Sequence, residues 1–195
     1  MRAKPARSGR ALDEPRSDLL KVGLIAGGVV IFIAALAYLL YLNQREPQSL
    51  EGLQQVAGLS RGHDEDVSYT QLDIPPPGGI HSGVWQNCAI YAAPILTKHA
   101  IHSMEHGAVW ITYRPELPAD EVERLQELAE DESFLLLSPF PGLRSPIVLT
   151  AWGLQLGLES ADDPRVSQFI QRYQRGPQTP EPGAVCTDGT SETVE

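Results

Sequence analysis

The sequence predicts an N-terminal transmembrane helix followed by one small α+β domain, in which helices pack on a mixed sheet. Three observations lead to this prediction. An uncharged apolar run near the N-terminus has about the 20 residues that a helix needs to cross a bilayer. Short runs of branched and aromatic residues further along alternate with segments of helical apolar periodicity. At 195 residues and 42% hydrophobic content, the chain has enough apolar material for one ordinary core.

The apolar run covers residues 22–42 and contains no charged side chain. Six Lys or Arg residues precede it and one, Arg45, follows it closely, so the positive-inside rule places the basic segment 1–21 in the cytoplasm. A cleaved signal peptide is the alternative, but its apolar region is usually shorter, and no small-x-small cleavage site follows Leu42. We therefore expect a single-pass protein that residues 22–42 hold in the lipid bilayer, with its C-terminal part outside the cytoplasm.

The exported part is expected to consist of a linker at residues 43–60, an α+β domain at residues 61–176 and a C-terminal tail at residues 177–195. It is acidic, since eight Lys or Arg face 22 Asp or Glu from Glu46 onward. Such a surface repels phosphate backbones, so nucleic acid is not expected as a partner, whereas cations and basic proteins fit its charge.

The first strand of the domain is expected at residues 68–73. Three prolines and two glycines follow at residues 75–79, and prolines lack the N–H groups that a continuing strand would need. We therefore expect a rigid loop there, which carries His81 at its end.

A buried strand is expected at residues 107–113, where the composition is branched and aromatic. A helix should follow, with Asp120 as its N-cap and Glu123 completing a capping box. Its apolar stripe at helical spacing consists of Val122, Leu125, Leu128 and Ala129.

Residues 134–137 and 147–151 are predicted as two more strands, and the turn-forming residues between them favour a hairpin. The last helix is indicated by Asp163 as its cap and Pro164 in its first turn. Its apolar face consists of Val166, Phe169, Ile170 and Tyr173. The order strand, helix, strand, strand, helix resembles half of a thioredoxin-like layer, a likeness that implies no function.

Two cysteines, Cys88 and Cys186, fall in the part expected outside the cytoplasm, where thiols are commonly oxidised. A disulfide between them is the simplest interpretation, and it would tether the tail. In the chain-entropy model, closing a loop of roughly a hundred residues contributes on the order of 4 to 5 kcal/mol. Two free thiols or two soft metal ligands are the alternatives.

All five histidines fall within residues 63–106, and residues 97–106 are expected to be helical. At about 100° per residue, one face of this helix would carry three imidazoles and, at its edge, one carboxylate: His99, His102, His106 and Glu105. Met104 falls on the opposite face, which argues against a copper(I) site with a thioether ligand.

Such a helix face is typical of a Zn²⁺ or Cu²⁺ site, and a loop residue such as His63 or His81 would complete the ligand shell. In the alternative interpretation, the rings cap the end of the helix, bond to backbone carbonyl groups or pack under the sheet. The sequence contains no Gly-rich phosphate loop, no G-x-S-x-G elbow and no C-x-x-C motif.

Residues 102–106 also spell H-x-x-E-H, the pattern of inverted zinc proteases, in which the glutamate activates a metal-bound water. Gly107 and a predicted strand follow at once, so the helix ends where such enzymes need it to continue. A zinc hydrolase with Glu105 as general base is therefore a hypothesis whose structural context is missing from the sequence.

Residues 62–189 resemble the bacterial family designated domain of unknown function 3105 (DUF3105). The resemblance rests on Gly62 and His63, the loop 75–81, Asn87, Cys88 and Tyr91, the block 102–113 and the segment 176–186. The family pattern has leucine where this chain has Met104, and it does not require histidine at position 99. The candidate metal ligands that remain are His63, His81, His102, Glu105 and His106. The resemblance implies a membrane-anchored protein of the bacterial envelope and implies no established activity.

Three functions follow as hypotheses. The first is an anchored protein that binds Zn or Cu through the histidine cluster. The second is a non-enzymatic envelope scaffold, in which Trp85, Trp110 and Trp152 are core residues and the acidic surface recruits a protein partner. The third is the zinc hydrolase, and catalysis is the less expected outcome.

Overall fold

The computed structural model describes residues 16–43 and 50–194. It divides the chain into two compact units, Met1–Gln48 and Ser49–Glu195. Most of the basic segment expected at residues 1–21, part of the linker expected at residues 43–60 and the last residue of the tail lie outside the described residues.

The N-terminal unit contains helix α1, Arg16–Asn43. Within it, Lys21–Tyr41 is long and apolar enough to cross a membrane, in agreement with the run predicted at residues 22–42. Its large apolar side chains are exposed, for example Leu24 at 78% and Ile31 at 72%. A helix of this length and composition has the properties that a lipid environment requires.

The C-terminal unit is built on a mixed sheet with the strand order β1-β5-β4-β2-β3 among the described residues. The strands are β1 (Gln54–Gln55), β2 (Val109–Tyr113), β3 (Leu135–Pro139), β4 (Ile147–Ala151) and β5 (Leu154–Leu158). The helices are α2 (Thr97–Glu105), α3 (Ala119–Glu130) and α4 (Arg165–Tyr173). Only β2 and β3 pair in parallel. This is the α+β architecture that the sequence predicts.

Helices cover both faces of the sheet. Successive residues of a strand point to opposite faces, so neighbouring residues pack against different helices. Ile111 of β2 belongs to a large apolar cluster that includes Leu125 of α3 and Phe169 of α4. Its neighbour Trp110 belongs to a second cluster, which includes Met104 of α2. Helix α2 therefore packs on the opposite face of the sheet from α3 and α4.

The predicted hairpin between residues 134–137 and 147–151 is wrong, because β2 lies between β3 and β4. Helix α3 joins β2 to β3, and a crossover of this kind makes two strands parallel. Strand β4 then pairs with the free side of β2. The hairpin is formed instead by β4 and β5, around a turn in which Gly153 has a φ of 72°. The sequence prediction did not include β5.

The strand predicted at residues 68–73 is also wrong. The Tyr69 hydroxyl donates to the Ile80 carbonyl oxygen at 2.5 Å, and Gln71 has a positive φ of 54°. These contacts hold the segment as a loop beside the proline-rich residues 75–79, where no partner strand is available.

The helix caps differ in detail from the prediction. Pro118 is the N-cap of α3, and Asp120 lies in the first turn, where it pairs with Arg124 at 3.1 Å. Pro164 is the N-cap of α4 instead of Asp163, and Oδ1 of Asp163, one residue earlier, accepts the N–H of Arg165 at 2.9 Å. Both carboxylates lie at helix N-termini, where negative charge is favourable.

Residues expected as linker and tail contribute to the C-terminal unit. Gln54, expected in the linker, pairs with Gln155 of β5. The C-terminal residues bond along their length to the loop before α2, as in the bond from the Val194 N–H to the Pro94 carbonyl at 2.7 Å. Cys88 and Cys186 are joined as a disulfide, with their Cα atoms 5.4 Å apart. The compact unit therefore extends beyond residues 61–176 at both ends.

Gly107 connects α2 to β2 and has a φ of 107°, outside the range that L side chains readily adopt. A Cβ at this position would lie 3.0 Å from the Cα of Arg175. The Gly107 carbonyl oxygen also accepts the N–H of Arg175 at 2.8 Å. The end of α2 is thus fixed against the segment that follows α4.

We expect Gly107→Ala to destabilise the C-terminal unit by about 3 to 5 kcal/mol, because a Cβ adds both backbone strain and a clash with backbone. Thermal unfolding of the purified full chain measures this loss by tryptophan fluorescence, since all three tryptophans lie in that unit. Gly58→Ala is the matched control. Gly58 also has a positive φ, 72°, but a Cβ there meets nothing within 4 Å, so only about 1 to 2 kcal/mol should be lost. Equal losses in both variants would contradict the steric part of this prediction.

Candidate metal centre

Helix α2 presents an apolar face to the sheet and a face of titratable side chains to the loops around it. Ile101 and Met104 are fully buried in the second apolar cluster. His102 and Glu105 lie on the other side, and His106 is the C-cap residue. Met104 is therefore placed on the face opposite to the histidines, as its helical position predicts.

The loop histidines converge on α2. His63 and His81 form an isolated parallel bridge, in which the Asp64 N–H donates to the His81 carbonyl at 2.7 Å and the His81 N–H donates to the Gly62 carbonyl at 3.0 Å. This pairing sets the two rings 4.7 Å apart between centroids. Each ring centroid also lies 4.9 Å from that of His102.

The buried rings are held in one orientation by backbone carbonyl oxygens. Each Nδ1 atom lies 2.6–2.7 Å from one such oxygen: His81 from Gly79, His102 from Ser82 and His106 from Val185. A carbonyl oxygen only accepts, so Nδ1 carries a proton, and Nε2 is the ring atom that can offer a lone pair to a metal ion. This is the arrangement that carbonyl groups impose on metal-binding histidines.

The carboxylate of Glu105 is 1% exposed and lies among these rings. Its Oε1 accepts the Nε–H of Arg61 at 2.9 Å. Its Oε2 lies 2.9 Å from Nε2 of His81 and 3.7 Å from Nε2 of His63. The contact with His81 lacks the alignment of a hydrogen bond, so both buried atoms are without a hydrogen-bond partner. Two buried polar atoms that can bind a metal ion therefore face each other away from water.

Four ligand atoms meet at this point, within 4.8 Å of one another, and we call them the inner ligand group: His63, His81, His102 and Glu105. A tetrahedral Zn²⁺ with bonds of about 2.0 to 2.2 Å holds its ligand atoms roughly 3.3 to 3.6 Å apart. The measured contacts of Glu105 with the two loop histidines, 2.9 and 3.7 Å, bracket that spacing. The inner ligand group could therefore hold a metal ion.

Burial lowers the pKa of His102 from 6.5 to about 4. The neighbouring rings of His106, His81 and His63 lower the pKa further, and the hydrogen bond to the Ser82 carbonyl opposes these effects. At neutral pH the ring is therefore uncharged, and its Nε2 lone pair is available to a cation.

A second set of ligand atoms also includes His102 and again lies within 4.8 Å of one another, and we call it the outer ligand group: His102, His106 and Glu181. The Glu181 N–H donates to the Glu105 carbonyl at 3.1 Å, which holds this acid beside the helix. Sequence reasoning missed Glu181 because it lies in the expected tail, 75 residues after His106, where no local motif indicates it. Arg61 lies 44 residues before Glu105, and no local motif connects the two.

His99 lies one turn before His102 but belongs to neither ligand group. Burial lowers its pKa as well. The helical face that the sequence predicts for three imidazoles is thus divided, and only His102 and His106 take part in these groups.

The disulfide lies next to the outer ligand group. Cys186 follows Val185, whose carbonyl oxygen orients the His106 ring. The Cys88 N–H donates to the Cys186 carbonyl at 2.8 Å. Trp85 packs against the same ring, with centroids 5.1 Å apart, and its Nε1–H donates to the Thr187 carbonyl at 2.9 Å. The C-terminal segment is therefore part of the wall of the site.

The family model described as "Protein of unknown function (DUF3105)" matches residues 61–188. The matched region contains both ligand groups, Arg61 and the disulfide. No curated protein and no solved structure matches the chain.

Proposed function

The chain belongs to DUF3105, a family of proteins of unknown function, and we propose that it is a membrane-anchored protein that binds one Zn²⁺ or Cu²⁺ ion. The ligands are those of the inner group: His63, His81, His102 and Glu105. The observation that carries this proposal is the close approach of Oε2 of Glu105 to Nε2 of His81, two buried atoms that have no hydrogen-bond partner.

The electrostatics support this proposal. A buried carboxylate is costly unless it is paired and hydrogen-bonded. Arg61 satisfies one oxygen of Glu105, and the other oxygen lies 2.9 Å from Nε2 of His81 without a hydrogen bond. A bound cation would turn this unfavourable contact into a favourable one, because it binds the lone pairs and the negative charge together.

The donor atoms favour a divalent ion. Imidazole nitrogen and carboxylate oxygen suit Zn²⁺ and Cu²⁺, whereas copper(I) prefers thiolate and thioether sulfur. Met104 is fully buried in the apolar cluster on the far face of α2, so its sulfur does not reach the ligand groups. Both cysteines are joined in the disulfide.

Two features support an extracytoplasmic location in the bacterial envelope. The helix Lys21–Tyr41 can cross a membrane, and basic residues are concentrated before it. The Cys88–Cys186 disulfide fits an oxidising compartment. We therefore infer that α1 anchors the protein in the cell membrane and that the C-terminal unit lies outside the cytoplasm.

We expect the purified full chain, stripped with a chelator, to rebind one Zn²⁺ or Cu²⁺ per chain. His102→Gln should lower the affinity at least about 100-fold, because it removes the nitrogen that is common to both ligand groups. Elemental analysis gives the stoichiometry, and competition with a chelator of known affinity gives the dissociation constant.

His99→Gln is the matched control, since His99 is a buried histidine of the same helix outside both ligand groups. Its affinity should equal that of the unsubstituted chain. If the unsubstituted chain takes up no stoichiometric metal, the proposal is wrong.

Hydrolysis is the second candidate function, because the outer ligand group contains two histidines and one glutamate. This ligand set is found in many hydrolytic zinc sites. A general base needs a free oxygen near the metal-bound water. In this structure, Oε1 of Glu105 is bonded to Arg61 and Oε2 faces His81. The position of Glu105 is therefore that of a ligand rather than of a base.

We expect Glu105→Gln to lose the metal, because an amide oxygen replaces the charged ligand. Metal content after gel filtration and hydrolysis of a peptide library are the two measurements. A variant that keeps its metal and loses a hydrolytic activity seen in the unsubstituted chain would establish Glu105 as a general base instead.

For the location, we expect protease added outside sealed cell membranes to remove a tag fused after residue 195 and to leave a tag fused before residue 1 intact until lysis. The physical reason is the charge asymmetry around α1, which favours a cytoplasmic N-terminus. Protection of the C-terminal tag and loss of the N-terminal tag would reverse the orientation.

A further inference from the structure

The outer ligand group is not a second copy of the inner one. It contains three ligands, His102, His106 and Glu181, whereas a tetrahedral shell needs four. Nε2 of His106 and Oε2 of Glu181 lie 3.7 Å apart, a spacing suited to a shared ion. The side chain of Glu181 is 43% exposed. A fourth ligand from outside the protein can therefore complete this group.

The two groups share a single lone pair. His102 donates through Nδ1 to the Ser82 carbonyl oxygen, so only its Nε2 is available to a cation. One nitrogen lone pair binds one ion at a time. The inner and outer groups are therefore alternative positions for one ion, rather than the two halves of a dinuclear site.

Arg61 links the carboxylates of the two groups. Its guanidinium lies 2.9 Å from Oε1 of Glu105 and 3.6 Å from Oε1 of Glu181. In each carboxylate, the oxygen that faces the histidines is the other one, Oε2. Arg61 thus orients both carboxylates toward the rings and leaves one oxygen of each free to bind a cation.

We propose that the outer ligand group is the exchange position of the metal site, an inference that rests on the proposed function. An ion enters and leaves the inner ligand group through the outer one, by way of His102. The incoming or departing ligand occupies the open fourth place beside Glu181. The molecule that receives the ion offers its own nitrogen, oxygen or sulfur ligand to a Zn²⁺ ion held by three protein ligands.

This pathway is short and requires little rearrangement of the protein side chains. The ring centroids of His81 and His106 lie 4.9 and 4.6 Å from that of His102. An ion bound to the shared Nε2 changes partners from one carboxylate to the other without leaving that nitrogen. Ligand substitution of this stepwise kind avoids a free ion at every stage.

The test is the rate of Zn²⁺ transfer from the loaded full chain in detergent to a coloured chelator in excess, followed by absorbance after rapid mixing. We expect Glu181→Gln to slow this transfer about tenfold, while the equilibrium Zn²⁺ affinity changes less than about threefold. When an exchange position is lost, the entry and the exit of the ion slow by the same factor. The ratio of the two rates, which sets the equilibrium affinity, therefore stays nearly constant. Glu192→Gln is the matched control, because it removes one charge from the same C-terminal segment outside both ligand groups.

The outcomes separate this proposal from the proposed function. A Glu181→Gln chain that transfers Zn²⁺ as fast as the Glu192→Gln chain would overturn the exchange position and leave the inner site standing. A tenfold loss of affinity in Glu181→Gln would make Glu181 a resident ligand and also overturn it. Two Zn²⁺ ions per unsubstituted chain would show separate sites, contrary to the proposal. If the unsubstituted chain binds no Zn²⁺, the proposed function itself fails.

Discussion

The buried carboxylate of Glu105 is the constraint on which the arrangement of the site depends. Negative charge in a water-excluded position must be compensated by the groups around it. Arg61 supplies a positive charge to one oxygen, and the imidazoles of His63 and His81 surround the other. Backbone carbonyl oxygens hold Nδ1 of the buried rings of His81 and His102 and so fix the orientation of these two rings. The metal ion that we propose for this site would lower the cost of burying the carboxylate, because it would bind the carboxylate and the imidazole nitrogens together.

Helix α2 connects this cluster to the hydrophobic core. Ile101 and Met104 fix one face of the helix against the sheet, and the residues between them are then directed toward the loops. Gly107 ends the helix and turns the chain directly into β2. Since β2 pairs with both β3 and β4 and all five of its residues are buried, the position of the site is tied to a buried strand of the sheet.

The C-terminal segment completes the site from a distance in sequence. Its residues supply Glu181 as a ligand of the outer group and the Val185 carbonyl oxygen that orients His106. The disulfide at Cys186 and the bond from Trp85 to Thr187 hold the segment in place. A cross-link that closes so long a loop mainly restricts the unfolded chain, so it keeps these contacts at a low entropic cost in the folded state.

The sequence by itself determined the features that rest on local pattern: the apolar run at residues 22–42, the helical stripes of α3 and α4, and the imidazoles on one short helix. It also determined the α+β class, through the composition and order of its strands and helices. Only the tertiary structure decided that β2 lies between β3 and β4, since strand pairing depends on contacts between distant segments. The tertiary structure alone placed His99 outside both ligand groups and brought Arg61 and Glu181 to the site. The direction of a side chain follows from packing and not from spacing along the chain.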